Sequence, residues 1–181
     1  MTATPLVTTT PTRPPTDAEL DRAVRGLGQT LGEVGWRMAA AESCTGGLVG
    51  HLITQVPRSS DHFLGGIVSY SNEAKEELLG VPPELIEQAG AVSPEVAEAM
   101  AIGVLERFGH ADLGVAVTGI AGPDGGTVDK PLGLTYVAAA ARHAPTVVER
   151  HVWPHGRDGN KRASALAAIQ LAARVARKAG E

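Results

Sequence analysis

The sequence has little cysteine, few aromatic residues and no long apolar stretch. Its one cysteine, Cys44, excludes an intramolecular disulfide and leaves no cysteine cluster for zinc, so the residue is expected to pack as a small apolar side chain. Aromatic residues make up only 3% of the chain, so the core must be built mainly from Ala, Val, Leu and Ile. No stretch reaches the roughly 18–20 uncharged apolar residues of a membrane span, so no membrane association is expected. A single cysteine suits a reducing, cytoplasmic environment.

Charge and length narrow the class of protein further. The formal net charge is −4, whereas sequence-independent nucleic-acid binding requires a dense basic surface, so no nucleic-acid partner is expected. With 181 residues, of which 43% are hydrophobic, the chain suits one globular domain. Residues 1–15 are rich in Thr and Pro and lack the features of a signal peptide. We expect a disordered tail over 1–15 and one domain over 16–181.

Local signals predict alternating helices and strands. Thr16 and Glu19 have capping-box spacing, and Ser93 followed by Pro94 is a strong helix start. The predicted strands cover 36–42, 64–70, 113–118, 132–140 and 146–153. The predicted helices start at Thr16 and cover 48–56, 72–79, 84–88, 93–108 and 158–178. This order predicts a three-layer α/β/α single domain with a mixed, partly antiparallel sheet.

Three polar or glycine-rich loops follow predicted strands, at 43–47, 69–75 and 118–127. Ligands of open α/β sheets usually bind outside the carboxyl ends of the strands, so we expect these loops to form a pocket. In the first loop, Ser43 and Thr45 precede Gly46 and Gly47 at a helix start. Its backbone N–H groups could hold a phosphate or an oxyanion, or the hydroxyls could simply cap the helix.

The third loop runs from Thr118 through Gly119 and Gly122 to Gly126. It has neither the Rossmann nor the Walker glycine spacing. Its glycines could let the backbone approach a ligand closely, or they could form an ordinary connection between strands. No metal site and no cofactor are predicted.

Lys75 is placed in the first turn of a helix that Asn72 is expected to cap. The helix dipole and partial burial would both favour the neutral amine, which can act as a general base toward a serine. The alternative is a solvated surface lysine. On residue types alone, Ser59 and Ser60 are turn or capping residues.

Five motifs occur in an order that resembles a known family. They are Ala41–Gly47, Tyr70–Lys75, Gly90–Ser93, Thr118–Gly126 and Lys130–Gly133. Together they resemble the CinA C-terminal family, whose enzymatic members are nicotinamide-nucleotide amidases. The resemblance covers about Asp17 to Arg174.

The resemblance implies hydrolysis of nicotinamide mononucleotide to nicotinate mononucleotide and ammonia, with a small nucleotide as the binding partner. It implies Ser60 as the nucleophile, Lys75 as the base, and Tyr70 and Ser43 as assisting residues. The glycine loops and the strand end contribute the implied substrate pocket, with Thr45, Gly46, Gly47, Thr118, Gly119 and Gly122. Arg157 is the nearest match to a family arginine and is implied to meet the phosphate.

The sequence departs from the family pattern at two places. Arg58 stands where the family has a glycine before the serine pair, and the Gly-Asp-Arg segment reads Gly156-Arg157-Asp158. The choice between Ser60 and Ser43 as nucleophile therefore stays open. The alternatives to this activity are a non-catalytic nucleotide-binding module in a competence or DNA-damage response, and an amidase for another small amide. The sequence is compatible with a homo-oligomer but does not predict one.

Overall fold

The computed structural model describes Leu6–Val7 and residues 12–180, and it confirms the predicted α/β fold. The strands are β1 (Leu6–Val7), β2 (Met38–Glu42), β3 (Phe63–Val68), β4 (Leu113–Gly119), β5 (Leu134–Ala141) and β6 (Val147–Val152). The helices are α1 (Asp17–Val34), α2 (Leu48–Thr54), α3 (Asn72–Leu79), α4 (Pro83–Ala89), α5 (Pro94–Arg107) and α6 (Arg157–Ala179). A short 3₁₀ turn covers Ser59–Asp61.

The strands form one mixed sheet in the order β1-β6-β5-β4-β2-β3. Strand β2 is parallel to both β3 and β4, whereas β5 is antiparallel to β4 and β6. Since β2, β3 and β4 run in one direction, their carboxyl ends lie at the same edge of the sheet. The predicted antiparallel pairs are those of the last three strands along the chain.

Helices cover both faces of the sheet, which gives the predicted three layers. On one face, α1, α2 and α6 pack through a buried cluster that includes Leu27, Ile53 and Ile169. On the other face, α3, α4 and α5 pack through a second cluster that includes Leu79 and Met100. Both clusters are rich in alanine and the branched aliphatic residues, as the low aromatic content predicts.

The predicted helix starts are confirmed at two places and corrected at a third. Thr16 and Glu19 form the capping box of α1, and the Ser93 hydroxyl accepts a hydrogen bond from the backbone of Val96. At α3 the cap is Ser71 and not Asn72, because the Ser71 hydroxyl accepts the backbone N–H of Ala74. Lys75 is therefore the fourth residue of α3, still within its first turn.

The N-terminal segment differs in part from the expected disordered tail. Leu6–Val7 form β1, which pairs in parallel with Glu149 and Arg150 of β6. The carbonyl of Pro15 accepts hydrogen bonds from Arg162 on α6. The structure describes Leu6–Val7 and residues 12–15 of the predicted tail, whereas residues 1–5 and 8–11 lie outside the described residues, so the predicted tail over 1–15 stays a prediction.

Helix α3 lies close to α5 because α5 carries a glycine at the contact. A Cβ atom on Gly103 would lie 2.0 Å from the carbonyl oxygen of Leu79 at the end of α3. Any side chain at this position must push α3 outward. Gly103 therefore helps to set the position of the helix that carries Lys75.

We predict that Gly103→Ala lowers the free energy of unfolding by about 2 kcal/mol or more, because overpacking forces the two helices apart. The matched control is Gly26→Ala in the middle of α1, where a Cβ would meet no atom within 4 Å. That change should raise stability by up to about 1 kcal/mol, since alanine is the better helix former. Urea denaturation of both variants measures the difference, and equal stability of the two would contradict the close contact.

Candidate functional site

A pocket of about 300 Å³ lies at the edge where β2, β3 and β4 end. Its lining includes Ser43 after β2, Tyr70 after β3, and Thr118 and Gly119 at the end of β4. The expected convergence of the three loops is therefore observed. Ala91 and Val92, between α4 and α5, close one side of the pocket.

Lys75 extends from α3 into the base of this pocket and is only 1% exposed. Its Nζ lies 3.1 Å from the hydroxyl oxygen of Ser43. It also lies 3.0, 3.2 and 3.3 Å from the carbonyl oxygens of Ser69, Tyr70 and Ser71. The surface-lysine alternative is excluded, because both the side chain and its amine are enclosed by polar backbone.

Burial lowers the pKa of Lys75 below the ordinary value for lysine, since desolvation disfavours the ammonium form. Nζ donates to the Ser43 hydroxyl oxygen and to the three carbonyl oxygens. Once the amine is neutral, its two N–H groups can still donate to carbonyl oxygens, and its lone pair can accept the proton of the Ser43 hydroxyl. Ser43 and Lys75 therefore form a hydroxyl–amine pair able to transfer a proton.

Cys44 follows Ser43 but does not compete with it as a nucleophile. Burial raises the pKa of the Cys44 thiol to about 12, so the thiol stays protonated at neutral pH. The residue packs in the core, as expected from the sequence.

Ser60 does not join Lys75 within one chain. It lies exposed in the 3₁₀ turn that precedes β3, whereas Tyr70 and Lys75 follow the end of β3. A strand of this length spans about 20 Å at roughly 3.3 Å per residue, so Ser60 lies at the opposite edge of the sheet. The implied Ser60–Lys75 dyad is therefore not formed within a single chain.

Arg58, which replaces the family glycine, adopts the backbone conformation that favours glycine. Its φ is 68° and its ψ is 13°, in the left-handed region. The guanidinium forms an ion pair with Asp61 at 2.9 Å. The turn that carries Ser60 therefore has a glycine-like geometry despite the substitution.

The turn of Thr45, Gly46 and Gly47 follows Ser43 and is not part of the pocket lining, and its implied role in substrate binding stays a prediction. Gly46 and Gly47 have positive φ values of 63° and 96°, which shape the turn into α2. The Thr45 side chain is buried beneath the turn. These residues shape the turn that follows Ser43.

The start of α2 is already occupied by a carboxylate. Buried Glu42 accepts hydrogen bonds from the backbone N–H groups of Gly47, Val49 and Gly50, at 3.0, 3.0 and 2.9 Å. Of the two alternatives for this helix start, an anion site or a hydroxyl cap, the structure shows a third arrangement, in which the carboxylate of Glu42 accepts the backbone N–H groups. A carboxylate at Glu42, four residues before Gly46 and six before the first residue of α2, was the available sequence signal.

Arg157 and Tyr70 meet across the mouth of the pocket. Arg157 donates to the carbonyl oxygen of Gly122 at 2.6 Å and to the Tyr70 hydroxyl at 3.4 Å. Gly122 has a φ of 89°, which a side chain would strain. These contacts connect the start of α6 to the glycine-rich loop that follows β4, and they place the guanidinium of Arg157 at the mouth of the pocket.

The other predicted pocket residues have structural tasks as well. Thr118 donates its hydroxyl hydrogen to the carbonyl oxygen of Ala91 at 2.7 Å. A Cβ on Gly119 would lie 2.7 Å from the carbonyl oxygen of Leu134, so glycine is required for the β4–β5 contact.

Sequence reasoning missed Asn160, which is buried and donates to the carbonyl oxygen of Ala121 at 3.0 Å.

A larger cavity of about 500 Å³ lies between β6 and α6. Its Glu149 is paired with Arg174 at 2.5 Å and lies 3.3 Å from His151. We take the smaller pocket as the candidate active site because it holds the buried Ser43–Lys75 pair.

Among residues 6–7 and 12–180, no helix is long and apolar enough to cross a membrane. No three His, Cys, Asp or Glu side chains group as metal ligands in that same part of the chain.

Comparison with protein families matches residues 21–176 to the CinA C-terminal domain. The chain belongs to this family. A CinA-like protein from Desulfotalea psychrophila is 55% identical over 121 residues, covering 67% of this chain and 29% of that protein. A putative competence-damage inducible protein from Moorella thermoacetica is 51% identical over 134 residues, covering 74% of this chain and 32% of that protein. This CinA domain thus spans about a third of the length of these two relatives.

The fold of the CinA domain also matches solved structures. The competence/damage inducible protein CihA from Agrobacterium tumefaciens superposes with a TM-score of 0.82 at 34% identity. That match covers 91% of this chain and 96% of the other chain. A CinA superfamily protein from Escherichia coli gives a TM-score of 0.82 at 27% identity, covering 88% and 93%.

We predict that Glu42→Gln lowers the free energy of unfolding by about 2–3 kcal/mol, because an amide keeps only one acceptor oxygen at the start of α2. The control is Glu106→Gln, an exposed residue of α5, which should change stability by less than about 0.5 kcal/mol. Urea midpoints at neutral pH measure both. An unchanged midpoint for Glu42→Gln would show that the carboxylate does not hold the turn.

Proposed function

We propose that this CinA domain is a nicotinamide-nucleotide amidase that converts nicotinamide mononucleotide and water to nicotinate mononucleotide and ammonia. One observation carries the proposal: the buried Lys75 amine lies 3.1 Å from the Ser43 hydroxyl at the base of a pocket. An uncharged amine beside a hydroxyl is the arrangement that activates serine for attack on an amide. The resemblance of the five motifs supplies the substrate class.

In the proposed reaction, the Ser43 oxygen attacks the carboxamide carbon while its proton passes to neutral Lys75. The carbonyl oxygen becomes an oxyanion, which needs hydrogen-bond donors close to the nucleophile, and the backbone N–H of Cys44, the residue after Ser43, is the candidate donor. The lysine ammonium then gives its proton to the departing nitrogen, which leaves as ammonia. Lys75 next takes a proton from water, whose oxygen attacks the acyl carbon. The bond to the Ser43 oxygen then breaks, Lys75 returns the proton to that oxygen, and the acid leaves.

The mouth of the pocket suits the phosphate end of a mononucleotide. Arg157 provides a guanidinium at this end, and Tyr70 presents a hydroxyl beside it. Guanidinium groups bind phosphate oxygens in a bidentate manner. The carboxamide would then lie deeper, between Ser43 and Thr118.

We predict that Ser43→Ala and Lys75→Met each reduce ammonia release from nicotinamide mononucleotide by about 1,000-fold or more, since each removes one half of the proton-transfer pair. Lys178→Met, an exposed lysine near the end of α6, is the control and should keep wild-type turnover. The assay contains a chelator, and thermal melts confirm that each variant folds. No release by folded wild-type protein would contradict the proposed activity, and full turnover by Lys75→Met would eliminate its role as base.

The proposed base also predicts the direction of the pH dependence. Burial lowers the pKa of Lys75, so the amine becomes the active, neutral form below the ordinary pKa of a lysine. We expect kcat/KM to fall as the pH drops through this lowered pKa and to level off above it. Steady-state rates between about pH 5 and pH 10 measure the profile. A rate that rises toward acid pH would contradict a neutral-amine base.

A further inference from the structure

The cavity of about 500 Å³ between β6 and α6 is separate from the candidate active site. It is larger than the pocket around Ser43 and Lys75, and within the described residues the two have no lining residue in common. Its volume is typical of sites that hold small molecules. The proposed reaction uses none of its residues, so the lining has a chemistry of its own.

The floor of the cavity is formed by one face of β6 and the residue that follows the strand. Glu149, His151 and Trp153 alternate along the chain, so their side chains lie on the same face of the sheet. They are only 4–5% exposed. The rings of His151 and Trp153 stack, with centroids 4.6 Å apart and planes 11° apart. The floor therefore contains a flat aromatic surface, in a chain that has few aromatic residues.

The rest of the lining is apolar inside the cavity and polar at its mouth. Pro15, Ala163 and Ala167 are buried, whereas Thr12 and Gln170 are exposed. An apolar interior with a few polar groups that fix orientation is the usual composition of a small-molecule site. This lining favours a ligand with a flat, largely apolar body and a hydroxyl-bearing end.

The charged side chains of the lining balance one another. The guanidinium of Arg13 pairs with the carboxylate of Glu19, and that of Arg174 pairs with the carboxylate of Glu149. A charged ligand would have to compete with these pairs, because each of the four groups already has a partner of opposite sign. The lining therefore favours an uncharged ligand.

The indole N–H of Trp153 is a buried donor without an acceptor. Its Nε1 has no hydrogen-bond partner among the residues that the structure describes. A buried donor left unpaired destabilises the folded protein, and a ligand atom that accepts its hydrogen removes this cost. The ligand is therefore expected to carry an acceptor, such as a ring nitrogen, in its flat body.

We infer that the cavity between β6 and α6 is a second small-molecule site, which binds an uncharged purine nucleoside. The base stacks against the rings of His151 and Trp153, and one of its ring nitrogens accepts the indole N–H. The ribose hydroxyls meet the polar side chains of Thr12 and Gln170 at the mouth. A purine suits the site because both of its rings carry nitrogen acceptors. The inference does not rest on the proposed amidase activity.

Tryptophan fluorescence tests the site directly, because the chain has only two tryptophans. In Trp36→Phe the emission comes from Trp153, and adenosine should quench it in a saturable manner with a Kd below about 1 mM. Ala167→Leu, made in this background, should raise the Kd about 10-fold or more, because its side chain occupies the space of the ligand. The matched control is Ala99→Leu on α5, at the other face of the sheet, which should leave the Kd unchanged. No saturable quenching at about 1 mM adenosine, or an equal loss in both variants, would overturn the inference.

Titration calorimetry tests how the ligand is recognised and does not depend on ammonia release. Trp153→Phe keeps an aromatic ring but removes the N–H, so it should raise the Kd of adenosine about 10-fold. Adenosine monophosphate should bind no more tightly than adenosine, because the charged groups of the lining are already paired. An unchanged Kd in Trp153→Phe would eliminate the assigned hydrogen bond, and much tighter binding of the monophosphate would overturn the uncharged ligand.

Discussion

The site depends on one costly interaction, the burial of the Lys75 amine. An ammonium group withdrawn from water is destabilised unless it is neutralised or fully hydrogen-bonded. Three successive carbonyl oxygens, from Ser69 to Ser71, and the Ser43 hydroxyl surround Nζ. Those groups come from the ends of β2 and β3 and the start of α3, so these three elements must be fixed together before the lysine can serve as a base.

The neighbouring residues Glu42 and Ser43 point to opposite faces of the sheet, where Glu42 binds the start of α2 and Ser43 contacts Lys75 of α3. Successive residues of a strand point to opposite faces, and here one side chain reaches α2 while the next reaches α3. Glu42 holds the backbone N–H groups at the start of α2, which fixes the glycine turn. With the turn fixed, Ser43 is held toward the amine and the helix start carries no free anion site.

The parallel arrangement of β2, β3 and β4 decides which residues can act together in one chain. The loops that follow these three strands lie at the carboxyl ends of the strands, and the segments that precede them lie at the amino ends. Ser43, Tyr70 and Thr118 meet for this reason, and Ser60 is kept apart from them.

The sequence by itself predicted strands β2 to β6, helices α1 to α6, their order and the family, because helix caps, apolar runs and glycine turns are local signals. The capping residues Thr16 and Ser93 and the loops after three strands were predicted from neighbouring residues alone. It could not determine that Ser71 rather than Asn72 caps α3, since both residue types cap helices. Only the tertiary structure decided that Lys75 contacts Ser43, that Glu42 fills the start of α2, and that Ser60 lies at the far edge. Each of these depends on which strands are neighbours and in which direction they run, and residues far apart in sequence carry no local signal of that pairing.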